Sequence, residues 1–488
     1  MEKTYQEAPN TLQIYDECDV LVVGGGSAGH SAAIAAARAG CKKVILMERF
    51  GYFGGDVTGG LVLMIPALNW RKYSMVRGIQ EEWFSRLDKT APESYISPSL
   101  DEIGDDSPIK IDRWSLVHGC TTFSDPKTLV RAPYYEASQL KIEMDLMIQE
   151  EPNVRVVMHS WGVKPVMDGD TIKGVIFESK EGRKVIMAKV VIDATGDGDI
   201  LCQTGAPYFD NCDSTTRSDK TALVWRMGGV DFELFARWGR DHPEQLKSFR
   251  AELDKVAGYP TFFYPVDSKN DTVWVNNWLP NLNCANLEDI KYTEFTVRNS
   301  IRRIIKFCRA YMPAALRNAY LYDIAPQLGS RCSRRLDGEH VLTQLDFATA
   351  TKFDDVIAWH SCLGRINGGV PIEIPFGSIL PKKVENLICP GRHISADEIA
   401  IDMLTLIPQC IGTGQAAGVA AAVCVDEGTT THNVNIKRVQ YILSHEQDVP
   451  LPRQDNTNQE LVRELEECQY GIMNEVAKKI RADAGLDW

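Results

Sequence analysis

The sequence contains no Cys-x-x-Cys pair and no short Cys/His cluster, although thirteen cysteines are scattered singly from Cys18 to Cys468. Zinc and iron–sulfur centres need closely spaced ligands, so no metal site is expected, and the neighbouring thiols of a disulfide reductase are missing too. Basic residues are in deficit: 53 Lys and Arg stand against 66 Asp and Glu, a formal charge of −13. Affinity for a phosphate backbone depends on clustered cations, so nucleic acid is not an expected partner. No apolar run approaches membrane-spanning length, and Met1–Glu17 lacks the basic-then-apolar order of an export signal. No membrane association and a cytoplasmic location are the expectations. Internal repeats, low-complexity tracts and obvious linkers are also lacking.

What is present is an ordinary globular composition, 44% hydrophobic and 24% charged over 488 residues. That length exceeds one simple core and implies two intimately connected domains. Asp19–Val23 reads as a short buried strand, Ser27–Ala39 as an alanine-rich helix stopping at Gly40, and Val44–Met47 as a second strand. A helix over about 135–150 leads into strand-like runs at 154–159 and 171–178. The latter forms a hairpin either with the former or with a run at 184–188, and Val190–Ile192 re-enters a buried strand.

Between the first strand and its helix stands Gly24-Gly25-Gly26-Ser27-Ala28-Gly29, a G-x-G-x-x-G. Gly24 permits the tight turn, Gly26 lets the backbone approach a pyrophosphate, and Gly29 allows close helix–strand packing, so that Ser27 and Ala28 open a helix whose N-terminus faces the anion. Glu48, with Arg49 beside it, closes the second strand nineteen residues after Gly29, where a carboxylate accepts hydrogen bonds from ribose hydroxyls. The set predicts a bound dinucleotide on a Rossmann-type α/β unit. Two further small-residue segments suit close approach to a cofactor: Gly54-Gly55-Asp56-Val57-Thr58-Gly59-Gly60, and Ala194-Thr195-Gly196-Asp197-Gly198-Asp199 at the end of the buried strand.

With these motifs the chain resembles the FAD-dependent oxidoreductases of the glutathione-reductase-2 class, distantly related to the fumarate reductase and succinate dehydrogenase flavoproteins. The resemblance extends to Gly391-Arg392-His393-Ile394-Ser395-Ala396 and to Pro408–Gly418, and it thins out between Ala206 and Gln327. It implies one FAD. Gly391 and Arg392 would lie beside the ribityl and pyrophosphate portion, and a helix beginning near Thr413, Gly414, Gln415 and Ala416 would point its positive end at the flavin and favour negative charge there. Val163 resembles the family position whose main chain contacts adenine. The segment holding Arg331 and His340 resembles an Arg-rich stretch near substrate. In two places the chain departs from the family pattern: Thr405 stands where relatives commonly carry Arg, and Phe376-Gly377-Ser378 lacks an aromatic-Arg pair. Both departures count against a carboxylate substrate, for which arginine is the usual bidentate partner.

Residues 1–205 are thus read as the first part of an FAD-binding domain, 206–379 as an inserted α+β substrate domain, 380–430 as the returning part of the FAD domain and 431–488 as a helical C-terminus. Five of the ten tryptophans fall in the insert, which suggests an apolar or ring-containing substrate or simply an aromatic core. Leu461, Leu465, Cys468, Ile472, Val476 and Ile480 form one helical stripe that packs on this chain or on a second subunit of a homo-oligomer. His393 is the expected proton-exchanging group, with Arg392, Arg331 and His340 as further catalytic candidates. Hydride transfer between a small organic substrate and flavin N5 is the leading expectation, with flavin-dependent monooxygenation and a non-catalytic FAD-binding assembly protein as alternatives. A single fingerprint implies an external electron acceptor or donor rather than a built-in NAD(P)H domain.

Overall fold

The structure is a computed structural model that describes residues 3–66, 68–117, 119–121, 128–210, 220–361, 370–454 and 459–467. The chain opens with β1 (Gln13–Val23), α1 (Ser27–Arg38) and β2 (Val44–Met47). The three follow the apolar pattern of the sequence closely, except that β1 starts six residues before Asp19. Its first half is polar and partly exposed and belongs to the sheet through backbone pairing with β6, a contribution that hydropathy does not register.

After α2 (Ala137–Gln149) come β3 (Val154–Val157), β4 (Trp161–Asp168), β5 (Thr171–Ser179) and β6 (Gly182–Asp193). β6 joins the two expected runs at 184–188 and 190–192 into one strand. Of the two hairpins left open by the sequence, β5 takes the one with β6 and pairs on its other side with β4. The sheet order is β3-β2-β1-β6-β5-β4, with β1, β2, β3 and β6 parallel and the β4–β5–β6 meander antiparallel.

A second, antiparallel sheet holds β7 (Trp225–Gly228), β8 (Thr261–Pro265), β9 (Thr272–Asn277) and, after the long α3 (Leu287–Tyr311), β10 (Tyr320–Ile324), in the order β8-β9-β7-β10. Most of the aromatic wealth of this region is core: Trp225 and Trp274 are buried, and Phe249 packs on Phe235, Phe263 and Phe307. One apolar core runs through both sheets.

The chain then returns to the first sheet. β11 (Leu387–Ile388) pairs in parallel with β6, and α4 (Ile407–Glu427) packs on α1 so closely that a Cβ at Gly414 would stand 2.2 Å from the Ala28 carbonyl oxygen. α4 starts at Ile407, six residues before the expected Thr413. Pro408 in its first turn marks that start, because proline loses nothing where the amide has no helical partner. Of the C-terminal stripe, Leu461 and Leu465 are buried on a helical stretch against Trp70, Tyr73 and Trp359 of this chain. Cys468, Ile472, Val476 and Ile480 lie outside the described residues. Among the described residues no helix is long and apolar enough to cross a membrane.

Candidate cofactor and substrate cleft

The carboxyl ends of β1, β2 and β6 open onto one cleft of about 450 Å³. Its floor is the glycine turn. Gly24 has φ +100° and lies so close to β6 that a Cβ would meet the Ala194 carbonyl oxygen at 2.5 Å. A Cβ on Gly29 would stand 1.7 Å from the Gly24 carbonyl oxygen, whereas one on Gly26 would project into open space. Gly24 and Gly29 therefore serve the fold, and Gly26 keeps the cleft clear. Ser27 Oγ donates to the Gly54 carbonyl at 3.2 Å and Gly54 N–H to the Gly25 carbonyl at 2.9 Å, which fastens the Gly54–Asp56 loop along the turn.

Two helices point their N-termini at this cleft. α1 has Gly26 and α4 has Leu406 as N-cap, and neither carries a side-chain cap or an acid in its first turn. Gly26, Ser27 and Ala28 at the start of α1, and Thr405 just before α4 with Ile407 and Cys410 in its first turn, line the wall. Unsatisfied N–H groups at an uncapped helix start favour an anionic or carbonyl ligand.

Glu48 follows β2 and lines the cleft beside the glycine turn. Its Oε2 accepts the Gly25 N–H at 2.5 Å and its Oε1 the Phe50 N–H at 2.8 Å. Burial raises the carboxyl above its ordinary range, against the pull of those two amides. Arg49 lies over Trp161, 5.2 Å from the ring, and both line the same end of the cleft with Ser160 and Gly162.

Asp193, at the end of β6, organises the opposite wall. Its Oδ1 accepts the Thr195 N–H and hydroxyl at 3.1 and 2.7 Å, and its Oδ2 accepts the Ile200 and Leu201 N–H groups at 3.1 and 2.8 Å. The ring of bonds presents Ala194, Thr195, Gly196, Asp197 and Asp199 to the cleft. Asp197 accepts from Arg392 Nη1 at 2.8 Å and from Ser333 Oγ. Burial alone would raise its carboxyl, but the Arg392 charge and these bonds hold it down at about 2. Asp199 has the reverse balance: burial and the charges of Asp197 and Asp193 push it up to about 6 despite Arg334, whose Nη2 donates to it at 2.9 Å.

Of the expected cofactor residues, Gly24, Gly26, Ser27, Ala28, Glu48, Arg49, Gly54, Gly55, Ala194, Thr195, Gly196, Asp197, Gly391 and Arg392 line the cleft. Gly29, Thr58, Gly59, Val163, Thr413, Gly414, Gln415 and Ala416 stand behind that wall. Thr58 Oγ1 donates to the Phe53 carbonyl. The Val163 carbonyl accepts from Gln203 Nε2 at 2.8 Å. Thr413 Oγ1 accepts the Gly391 N–H at 3.1 Å and so positions the Arg392 segment. Gln415 turns toward Gln447, Nε2 to Oε1 at 3.0 Å, and Ala416 is in the core. The late start assumed for α4 explains the last four: its true first turn is Ile407–Cys410.

The catalytic expectations fare differently. His393 is not in the cleft wall. Its ring is fully buried, Nε2 lies 4.0 Å from Asp193, and among the described residues neither ring nitrogen has a hydrogen-bond partner. Burial lowers its pKa, against the pull of the Asp193 charge. Arg392 and His393 are the central pair of a turn closed by the Ile394 N–H on the Gly391 carbonyl at 3.2 Å, and their side chains part there, one to the cleft and one to the core, which is why adjacency misled. Asp193, Cys389 and His393 bring ligand atoms within 4.8 Å of one another, but four donors already engage the Asp193 oxygens. His340 packs edge-on against Phe353 and stands 3.7 Å from Asp346, away from the cleft. Arg331 does not line it either, though its charge acts on Asp56.

Among the lining groups that sequence reasoning did not single out are Asp56, Gln327 and Cys284. Asp56 faces the cleft and accepts from Gln327 Nε2 at 3.3 Å, and burial, partly offset by Arg392 and Arg331, raises its carboxyl. Gln327 and Cys284 arrive from the second half of the chain. Thr405 is nine-tenths buried, and among the described residues its hydroxyl and Gln327 Oε1 have no hydrogen-bond partner.

The sequence profile of the FAD dependent oxidoreductase family matches residues 19–443. The chain belongs to that family. The oxidoreductase is 26% identical over 200 residues to a thiamine thiazole synthase of Methanosarcina barkeri, covering 41% of this chain and 64% of that protein. It is 36% identical over 105 residues to a urocanate reductase of Eggerthella lenta, covering 21% of this chain and 15% of that protein. The matches thus span less than two thirds of the length of these curated relatives. Among solved structures, a flavin-dependent brominase Bmp2 triple mutant superposes with a TM-score of 0.48 at 13% identity, over 96% of this chain and 99% of that one. A geranylgeranyl bacteriochlorophyll reductase-like protein of Thermoplasma acidophilum gives 0.44 at 14% identity, over 95% and 90%. FAD is the cofactor of this oxidoreductase, and the cleft fits it: an open Gly26 floor, two uncapped helix starts and the Glu48 carboxylate beside the glycine turn.

Proposed function

We propose that this enzyme transfers a hydride between a small, uncharged, hydrogen-bonding organic substrate and FAD. Bound FAD supplies a flavin N5 that takes or gives the hydride. In this reading the diphosphate lies on the start of α1, the ribose on Glu48, and the flavin ring against Gly54–Asp56 and the start of α4. The region 206–379 serves as the substrate wall through Cys284, Ile290, Glu294, Pro326, Gln327, Leu328 and Ser330, a set without an aromatic side chain.

The observation that carries this reading is the pairing of unpartnered neutral groups, Thr405 Oγ1 and Gln327 Oε1, with a raised carboxyl, Asp56, on one stretch of cleft. Unmet buried polar atoms cost about 1–3 kcal/mol each, and a substrate that meets them recovers that cost. Arg392 is already committed to Asp197, Arg49 lies at the Trp161 end of the cleft, and Thr405 replaces the expected arginine, which favours a neutral substrate over a carboxylate. Asp56, rather than His393, handles the accompanying proton: it faces the cleft, and a carboxyl held above its usual range exchanges protons nearer neutral pH.

Anaerobic titration of the yellow holoprotein against a library of neutral and carboxylate metabolites tests this. Bleaching by a neutral compound supports the reading. Bleaching only by carboxylates removes the substrate class, and oxygen consumption coupled to a hydroxylated product replaces hydride transfer with monooxygenation. A flavin that neither metabolites nor dithionite can reduce removes the enzymatic reading altogether.

A further inference from the structure

Between Glu294 and Asp323 the chain carries no carboxylate but six cations, Arg298, Arg302, Arg303, Lys306, Arg309 and Arg317, in a protein whose formal charge is −13. The structure gathers several of these at one place. β10 is the edge strand of the second sheet, paired only with β7, and α3 runs beside it. Between them lies a groove of about 560 Å³ lined by Ile301, Arg302, Ile305, Lys306, Arg309 and Leu321. Ile301 and Ile305 form an apolar floor, and Tyr320, Leu321 and Tyr322 on the strand are 48%, 41% and 52% exposed. Among the described residues Arg302, Lys306 and Arg317 have no ion-pair partner, whereas Arg298 is taken by Glu294 at 2.8 Å.

We propose that this groove docks an acidic, extended segment of a partner protein, added to β10 as a fifth strand of the second sheet. Three features select that occupant. A free sheet edge offers backbone N–H and C=O groups that a peptide strand satisfies. A lipid leaflet cannot satisfy them and would leave them in hydrocarbon. Two copies of this groove would face each other with like charge, so a twofold β10–β10 contact is disfavoured, while carboxylates on a partner strand meet Arg302 and Lys306 directly. The groove also communicates with the cleft by construction: α3 contributes Ile290 and Glu294 to the cleft wall, and the chain leaving β10 contributes Pro326, Gln327 and Leu328. An electron carrier or regulator seated here would rest on the elements that bound the active cleft.

The test is fluorescence anisotropy of the holoprotein with a labelled ten-residue peptide of alternating glutamate and valine. Three probes serve as controls: a lysine–valine peptide, a glutamate–valine peptide N-methylated on alternate residues, and phosphatidylserine vesicles. Saturable binding of the glutamate peptide that weakens with salt, falls at least tenfold in R302E/K306E and falls similarly on N-methylation supports the proposal. FAD content and flavin bleaching by dithionite should be unchanged in that variant, since neither residue touches the cleft. Absence of binding at 100 µM protein, indifference to charge reversal, or indifference to N-methylation overturns strand addition. Vesicle binding in place of peptide binding, or a dimer that R302E/K306E dissolves, would assign the surface to a membrane or to a second copy instead.

Discussion

Arg392 Nη1 lies 2.8 Å from Asp197 Oδ1 across 195 residues of sequence, and this pair clamps the returning segment after β11 to the turn after β6. The cofactor cleft is built around that clamp. R392M should lower thermal stability by about 3–5 kcal/mol, because it leaves a buried carboxylate without its cation. The double variant R392M/D197N should recover part of the loss. In the wild type, Asp197, held at about 2 from an ordinary 3.8, contributes stability that is complete above pH 4 and disappears as pH falls from about 4 to about 2. D197N should remove that acid step from the melting profile.

Asp199 works in the opposite sense. Its carboxyl is raised from 3.8 to about 6, so the folded protein is disfavoured by ionising it, and stability tied to this group is lost as pH rises from about 4 through 6. The same negative charge lines the cleft in which the diphosphate is proposed to lie. FAD affinity of the apoprotein should therefore increase severalfold between pH 7 and pH 5, and D199N should flatten that dependence. Isothermal titration with FAD at both pH values reads it.

Gly26 and Gly29 should separate binding from folding. A Cβ at Gly26 meets nothing within 4 Å, so G26V should give a folded, colourless protein with FAD affinity reduced at least a hundredfold. A Cβ at Gly29 would collide with the Gly24 backbone at 1.7 Å, so G29A should cost about 1–3 kcal/mol or more of stability even without cofactor. Circular dichroism melts and flavin absorbance distinguish the two outcomes.

Thr405 offers a check on the substrate reading. Removing an unsatisfied buried hydroxyl should leave stability unchanged or improve it by about 1 kcal/mol, so T405V should melt no lower than the wild type. Once a reducing substrate is known, T405V should raise its KM about tenfold or more while FAD binding stays intact. D56N should instead slow flavin bleaching and move its pH profile, with FAD retained. A D56N enzyme with an unaltered pH profile would return the proton-handling role to another group.

The α/β unit, its glycine turn and Glu48 were legible in the sequence because they obey local rules. Continuous apolar runs write the second half of β1 and all of β2, small residues write α1, and Gly29 answers the Gly24 backbone five residues before it, although Gly24 also answers Ala194 at the end of the neighbouring strand. Even the start of α4 was written, in Pro408, though the family-like Thr413–Gln415 stretch drew attention away from it.

Side-chain direction was not legible. That Arg392 enters the cleft while His393 turns into the core, and that Asp56 meets Gln327 from 271 residues away, depends on how β6, β11 and the second sheet are stacked. Sequence determined which backbone would cradle a diphosphate, since short-range sterics set that conformation. Only the tertiary structure decided which ionisable groups share the cleft, because burial and charge act through space between segments that the chain itself does not bring near.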